Sequence, residues 1–419
     1  MNKFSFYNIS VAHKDGLIIY NTVSSAVLLL NRTEKEAYVK AVNNCSPNLL
    51  PSQLLEALVK GNMIIPYASN ELESLELKYK LETFSSPILG LTIAPTLACN
   101  FSCPYCYENG KRQNTMNNEV IKQIVKFIDF EMKTKRSLFI TWYGGEPLLA
   151  TDVIDQITQY IQKKNYNYHA DMVTNGYLLN KTMAQKLKKL NITRVQVSLD
   201  GLPETHNSTR FLANGCGTFD TVIKNISEAC HHLDIVIRVN VNKNNIFEIP
   251  KLLDIFDTFN LAHKVRVYLA PIEKVNENCI TSHCIDSIEF SKMEYDLFYR
   301  YSSRGYFDFK IPIAHCASCG AAQLNAYIID PKGDIYKCWD EIGEKENCIG
   351  SIFTGYNGSQ NLTKWLNFNP FVIPKCKACK LLPICVGGCP RLYIQTKDCK
   401  CISLRYSIKN YLNFLTENS

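Results

Sequence analysis

Cys99-Asn-Phe-Ser-Cys103-Pro-Tyr-Cys106 places three thiols in one short stretch with the spacing C-x3-C-x2-C. The apolar run that ends at Ala94 leads into it and a proline follows the second cysteine, which reads as a strand running out into a sulfur-bearing loop. Four-iron cubes are held by cysteine thiolates, and a cube held by only three leaves one iron open to a small molecule. A structural zinc, or a cluster completed by a cysteine from elsewhere, are the other readings of the triplet taken alone.

Outward from the triplet, residues from about 87 to 275 alternate strand-like apolar runs with amphipathic helical ones. Strands are predicted at Leu91 to Ala94, Phe139 to Trp142, Met172 to Thr174, Val195 to Leu199, Ile235 to Val241 and Val265 to Leu269. Between the first two, Asn117 to Lys135 sets Val120, Ile121, Ile124, Val125 and Ile128 at helical spacing. Such alternation makes βα units and a parallel sheet, here about three-quarters of an eight-unit barrel, with ligand groups at the carboxyl ends of the strands. The fold class expected is therefore α/β, a partial (β/α)6 barrel. Notable residues sit at those ends. Tyr143-Gly144-Gly145-Glu146-Pro147 offers a close-approach backbone and a carboxylate, although an ordinary strand-to-helix turn can look the same. Val173-Thr174-Asn175-Gly176 and Val197-Ser198-Leu199-Asp200-Gly201 follow, the latter trailed by His206, Arg210 and Gly217-Thr218-Phe219.

The triplet, the Gly-Gly-Glu-Pro element one βα unit later and the S-L-D-G...H...R...G-T-F pattern together resemble the radical S-adenosylmethionine (radical SAM) superfamily, especially its peptide-modifying members. The resemblance implies a 4Fe-4S cluster on Cys99, Cys103 and Cys106 whose open iron chelates S-adenosylmethionine, and reductive cleavage of that cofactor to a 5'-deoxyadenosyl radical. It implies Gly144, Gly145, Glu146 and Pro147 around the cofactor's methionine ammonium, and Tyr105 sheltering adenine. Ser198 and Arg210 are the candidates for its carboxylate and ribose side, since an arginine fork suits a carboxylate. Arg238 and Asn240 face the cofactor or brace the barrel. His206 reads as a hydrogen-bonded residue near a helix start rather than a base.

A second field of cysteines lies between residues 316 and 401. Cys319 and Cys338 bracket Gly333 as C-x13-G-x4-C, and Cys376-x2-Cys379-x5-Cys385-x3-Cys389 follows, with Cys399 and Cys401 beyond. Paired zinc ribbons are the alternative for C-x2-C pairs. The order is similar to the SPASM domain of radical SAM maturases. That resemblance implies two auxiliary 4Fe-4S clusters, one on Cys316, Cys319, Cys338 and Cys389, the other on Cys376, Cys379, Cys385 and a late cysteine. Cys401 is preferred for the last place because it opens a carboxy-terminal helix; Cys399 is the alternative. Cys45, Cys216, Cys230, Cys279, Cys284 and Cys348 are left as small apolar residues expected to be buried.

A chain of 419 residues, 46% hydrophobic and 20% charged, is long enough for two or three domains. The expected division is a winged-helix-like leader-peptide recognition region over 1–85, a barrel over 86–305 and a SPASM domain over 306–419. In the first region, Phe4 to Val11 and Gly16 to Asn21 read as strands, Ser25 to Val42 and Ser52 to Lys60 as helices, and Asn70 as a cap with Glu73 reaching back. The formal charge of +7 falls to roughly +2 once three oxidised clusters are counted, and the Lys186 to Lys189 face is short, so no nucleic-acid partner is expected. No apolar run approaches a membrane span and the amino terminus lacks a secretory pattern, which points to a cytoplasmic protein without a membrane partner. Eighteen cysteines there favour metal ligation over disulfides.

The resemblance thus implies a radical SAM/SPASM maturase that abstracts hydrogen from a residue of a ribosomally synthesised precursor peptide. The product would be a crosslink, thioether or carbon-carbon, and a flavodoxin- or ferredoxin-type donor would supply electrons. An anaerobic sulfatase-maturating, formylglycine-generating enzyme is the first alternative; there Asp340, displaced one place by Trp339, is the weak candidate for a base. A non-catalytic iron-sulfur electron carrier or scaffold is the second.

Overall fold

The computed structural model describes residues 1–106, 114–272, 284–317, 319–356 and 358–417. Cys279 lies outside them. The chain begins with β1 (Asn2–Phe4), β2 (Asn8–His13), β3 (Gly16–Asn21), β4 (Val27–Leu30), α1 (Arg32–Asn43), α2 (Ser52–Lys60), β5 (Ile64–Pro66) and α3 (Glu71–Ser85). β2, β3 and β4 form an antiparallel sheet in that order, while β1 pairs with β5.

Three local expectations are corrected here. The single strand from Phe4 to Val11 is two, because Ser5 turns the chain: its hydroxyl donates to Glu71 at 2.5 Å and accepts the Tyr7 N–H at 3.1 Å. The helix expected from Ser25 starts only at Arg32, since Val27–Leu30 pairs along β3 and Asn31 caps α1 in a reciprocal box with Glu34. Asn70 does cap α3, accepting from the Glu73 N–H at 3.3 Å, but the reciprocal box belongs to Asn31.

The barrel follows as β6 (Ile88–Ile93), α4 (Asn118–Glu131), β7 (Ser137–Trp142), α5 (Thr151–Lys163), β8 (Tyr168–Thr174), α6 (Lys181–Lys189), β9 (Ile192–Leu199), α7 (Pro203–Thr209), α8 (Phe219–Ala229), β10 (Asp234–Val241), α9 (Ile249–Thr258) and β11 (Val265–Pro271). Neighbouring strands from β6 to β11 are all parallel. α4 shows why the helices form: Asn117 caps it at 2.9 Å, and Val120, Ile121, Ile124, Phe127 and Ile128 are buried on one stripe. β10 alternates fully buried Ile235, Ile237, Val239 and Val241 with half-buried Val236, Arg238 and Asn240, so one face feeds the helix layer and the other presents polar groups to the barrel interior.

Beyond α10 (Ser287–Tyr301), the carboxy-terminal part adds β12 (Ala326–Ile329), β13 (Asp334–Tyr336), β14 (Gly350–Ser351) and β15 (Gly355–Tyr356) to the same sheet. β12 lies parallel to β6, Ala326 opposite Gly90, and thereby covers an edge that the open barrel would otherwise leave unpaired. Short helices α11 (Gln360–Leu366), α12 (Pro374–Lys377), α13 (Leu382–Cys385) and α14 (Pro390–Thr396) follow before α15 (Leu404–Glu417), with Cys376 in α12, Cys385 in α13 and the other late cysteines in the connections. The amino-terminal unit rests on this part: Lys380 donates to the Asn8 carbonyl at 2.7 Å, Thr22 to the Lys380 carbonyl at 2.5 Å and Tyr79 to the Phe368 carbonyl at 2.6 Å. Among the described residues no helix is long and apolar enough to cross a membrane.

Candidate active site

A cavity at the carboxyl ends of the barrel strands is lined by Cys99, Cys103 and Cys106 together with Tyr105, Gly144, Gly145, Ser198, Arg210, Arg238 and Asn240. The thiols arrive on the loop after β6. Ser198, next to last in β9, stands opposite Arg238 of β10 in the parallel register, so both enter from one layer. Burial raises the Cys99 thiol to about 12 and Cys103 to about 11; such thiols keep their protons near neutrality until a metal takes the sulfur.

Asp200, quoted above within S-L-D-G but given no role, is the hub of the site. Its carboxylate accepts from the Tyr105 hydroxyl, from Asn240 Nδ2 at 2.9 Å and from Thr209 Oγ1 at 3.3 Å. Arg238 Nε donates to Asn240 Oδ1 at 2.9 Å, and Arg210 Nη1 donates to the Tyr105 hydroxyl at 3.0 Å. Tyr105 is thereby locked between the second and third cysteines. Burial works against the Arg210 charge, but Tyr105 and Asp200 beside it more than offset that and hold it protonated. Arg210 Nε is buried with no hydrogen-bond partner among the described residues. That orphaned donor in the cavity wall fits a cofactor carboxylate, and three thiols on one loop fit a cluster with an open iron.

Glu146 and Pro147 are set back from the cavity wall that Gly144 and Gly145 line. Glu146 is fully buried, and its carboxylate accepts from Thr174 Oγ1 at 2.7 Å and from the N–H groups of Asn175 at 2.8 Å and Leu148 at 3.0 Å. It ties the β7 loop to the β8 loop. The two glycines lie against the chain entering the cysteine loop: a Cβ on Gly144 would meet the Thr96 carbonyl at 2.4 Å, and one on Gly145 the Ala98 carbonyl at 2.4 Å. They are required at least as much for this loop-on-loop packing as for a ligand.

His206 is fully buried, accepting the Asp200 N–H at 3.3 Å and sharing a 3.0 Å hydrogen bond with Thr218 Oγ1. Burial lowers it to about 3, so it is a neutral structural residue, as expected. Its unfolded value is near 6.5, so the stability that it contributes is complete above about pH 6.5. As pH falls through about 6.5 toward 3, that stability should be lost at ~1.4 kcal/mol per unit. Urea unfolding between about pH 5.5 and 4 should show that slope, and His206→Gln should flatten it. An unchanged slope in the variant would assign the acid sensitivity to other groups.

Trp339 and Asp340 close the cavity on the carboxy-terminal side. The Trp339 ring packs on Tyr143 with centroids 4.4 Å apart, and Asp340 is paired with Arg391 at 3.0 Å. Asp340 therefore reaches the site despite its one-place displacement, whereas the aromatic pair and Gln196, also in the wall, were not singled out from sequence.

The remaining thiols gather in two places. Cys319, Cys338 and Cys389 are within electrostatic reach of one another in sequence, Cys338 to Cys319 and Cys319 to Cys389, with Cys316 at the surface nearby in the chain. Cys376, Cys379, Cys385, Cys399 and Cys401 surround a separate cavity. Of the cysteines expected to be merely buried, Cys45 and Cys216 are exposed and Cys230, Cys284 and Cys348 half-buried; Cys45 occupies a turn at φ 50°, where no core is available.

Residues 93–255 match the radical SAM superfamily. The cysteine-type anaerobic sulfatase-maturating enzyme of Clostridium perfringens is 25% identical over 362 residues, 78% of this chain and 95% of that one. The Fe-coproporphyrin III synthase of Methanosarcina barkeri is 29% identical over 163 residues, so this chain spans only 39% of that relative. Among solved structures, anSMEcpe with bound AdoMet superposes with a TM-score of 0.64 at 21% identity, covering 80% of this chain and all of that one. Streptococcus suis SuiB bound to the precursor peptide SuiA gives 0.55 at 18% identity over 94% and 96% of the two chains. At those identities the structural likeness shows a shared fold. The cysteine loop, the parallel strands and the match over residues 93–255 together show a radical SAM domain in this chain, and that superfamily implies S-adenosylmethionine and a 4Fe-4S cluster.

Proposed function

We propose that this enzyme removes a hydrogen atom from a residue of a ribosomally synthesised precursor peptide and so installs a crosslink, with two further 4Fe-4S clusters in its carboxy-terminal part. The observation that carries the reading is the amino-terminal unit: β4 is an outer strand of its sheet, with the exposed side chain of Leu29 on it. An unpaired strand edge accepts an extended peptide by main-chain hydrogen bonds, the mode expected for a leader segment. Residues 1–85 are then the leader-recognition region, 86–305 the barrel and 306–419 the SPASM domain. SuiB, which shares the fold across nearly the whole chain, is known bound to a precursor peptide.

S-adenosylmethionine on the cluster supplies one-electron chemistry strong enough to take hydrogen from carbon; position and dryness come from the protein. Cys99, Cys103 and Cys106 would hold the cluster, and Arg210, through its unpartnered Nε, would take the cofactor carboxylate. Ser198, Arg238 and Asn240 would meet its polar sugar side, while the Asp200 hub keeps Tyr105 and Arg210 in place. The Tyr143–Trp339 pair would screen the cavity from water on its carboxy-terminal side.

Formylglycine formation is the second reading, favoured by Asp340 in the cavity wall and by the relationship to the sulfatase-maturating enzyme along nearly all of that protein. The non-catalytic carrier gives way to the enzymatic relationship. Reduced enzyme, S-adenosylmethionine and a short peptide encoded beside it should yield a peptide lighter by two hydrogens with a crosslinked fragmentation pattern. An aldehyde formed instead on a sulfatase-derived cysteine peptide would favour the second reading. Hydrogen exchange at residues 27–30 checks the docking edge: protection on adding the precursor is expected, and none with modification intact would make residues 1–85 a cap.

A further inference from the structure

Five thiols surround the cavity between α12, α13 and the start of α15, one more than a four-iron cube takes from protein. Cys376, Cys379 and Cys385 come from α12, α13 and the turn between them. Cys399 and Cys401 come from the connection that leads into α15, and that connection is held on both sides. Lys375 Nζ donates to the Asp398 carboxylate at 3.0 Å and to the Cys399 carbonyl at 3.3 Å. On the other side Gly388, at φ 72°, lies so close that a Cβ there would come within 2.2 Å of the Lys400 carbonyl.

Both late thiols are therefore kept at the cavity. Cys399 is buried with its Sγ 3.5 Å from Cys376 Sγ. Cys401 lines the same cavity as Cys385. Arg405 donates to Cys379 Sγ at 3.1 Å, a cation placed where thiolate charge would accumulate.

We propose that the last ligand position of this site is degenerate, with Cys399 and Cys401 interchangeable so that either alone completes the cluster. A step between staggered rotamers redirects a cysteine sulfur without moving the backbone. On exchange, the incoming thiol releases its proton as it binds iron and the outgoing thiolate takes one up, so neither oxidant nor reductant is consumed. The inference rests on the reading that this cavity holds an auxiliary cluster.

The test uses full-length protein reconstituted anaerobically with iron and sulfide, in wild type, Cys376→Ala, Cys399→Ala, Cys401→Ala and the Cys399→Ala/Cys401→Ala double variant. Iron content and the electron paramagnetic resonance spectrum of the reduced protein are the readouts. Cys376→Ala and the double variant should each lose about four irons, while both single late variants keep the wild-type count, with a shifted spectrum in one of them. Loss of about four irons in either single variant would overturn the proposal by showing a unique ligand. Should Cys376→Ala and the double variant both keep the wild-type iron, the cavity holds no cluster and the auxiliary-cluster reading itself falls. Iodoacetamide trapping gives a second readout on folded wild type. One of the five thiols should be alkylated, and in each single late variant all four that remain should be protected. Alkylation of the remaining late cysteine in a single variant would count against exchange.

Discussion

Replacing Cys99, Cys103 and Cys106 together by alanine is expected to remove about four irons and four sulfides per chain and to abolish reductive cleavage of S-adenosylmethionine. The three sulfurs share the wall of one cavity with Arg210 and Ser198, so no remaining thiol there can hold the open-iron cluster. The carboxy-terminal thiols stand around other cavities and should keep about eight irons of a total near twelve, if both auxiliary clusters are present. Metal analysis and the release of methionine and 5'-deoxyadenosine by the reduced protein measure the two effects. Undiminished iron in the triple variant, or zinc as the main metal, would remove the three-cluster assignment.

Glu146→Ala should be the most destabilising single change at the site, and its effect should appear before any cofactor is added. The substitution leaves the N–H groups of Leu148 and Asn175 and the Thr174 hydroxyl without their acceptor in a fully buried place. An unsatisfied buried donor costs about 1–3 kcal/mol, so the loss should reach roughly 3 kcal/mol or more even after relief of burying the carboxylate. Burial raises the Glu146 acid, the direction that desolvation of the carboxylate gives. Glu146→Gln, whose amide oxygen still accepts, should lie between wild type and Glu146→Ala. Urea unfolding without S-adenosylmethionine decides the matter. Unchanged stability combined with weakened cofactor binding would return the carboxylate to the role of ammonium partner.

The difference between those two roles for Glu146 shows where reading a chain in order stops. Gly144-Gly145-Glu146-Pro147 is recognisable because its residues are adjacent, but the acceptor's partners, Thr174 and Asn175, lie a whole βα unit away. Asp200 presents the same difficulty, since Tyr105 and Asn240 meet it from loops and strands that adjoin only in the folded sheet. A carboxylate at the end of β9, just before Gly201 at φ 131°, was a signal that could have marked it. The amino-terminal errors have a local cause: an apolar run from Val27 to Leu30 suits helix and strand alike, and pairing with β3 settles it.

Periodicity, capping residues and the spacing of cysteines act over a turn of helix or one loop. For that reason the six parallel strands, the helix stripes and the three-thiol loop were determined by the sequence by itself. Register, packing partners and the direction of a buried side chain depend on segments brought together from hundreds of residues apart. Tertiary structure alone decided that β12 extends the barrel sheet beside β6 and that Lys380 fastens the amino-terminal unit to the cysteine-rich part. It also decided that Glu146 braces loops while Arg210 keeps an unpaired donor in the cavity, and that Cys399 and Cys401 share one wall. A hydrogen bond or a thiol site exists only where its groups converge in space, and sequence distance does not encode that convergence.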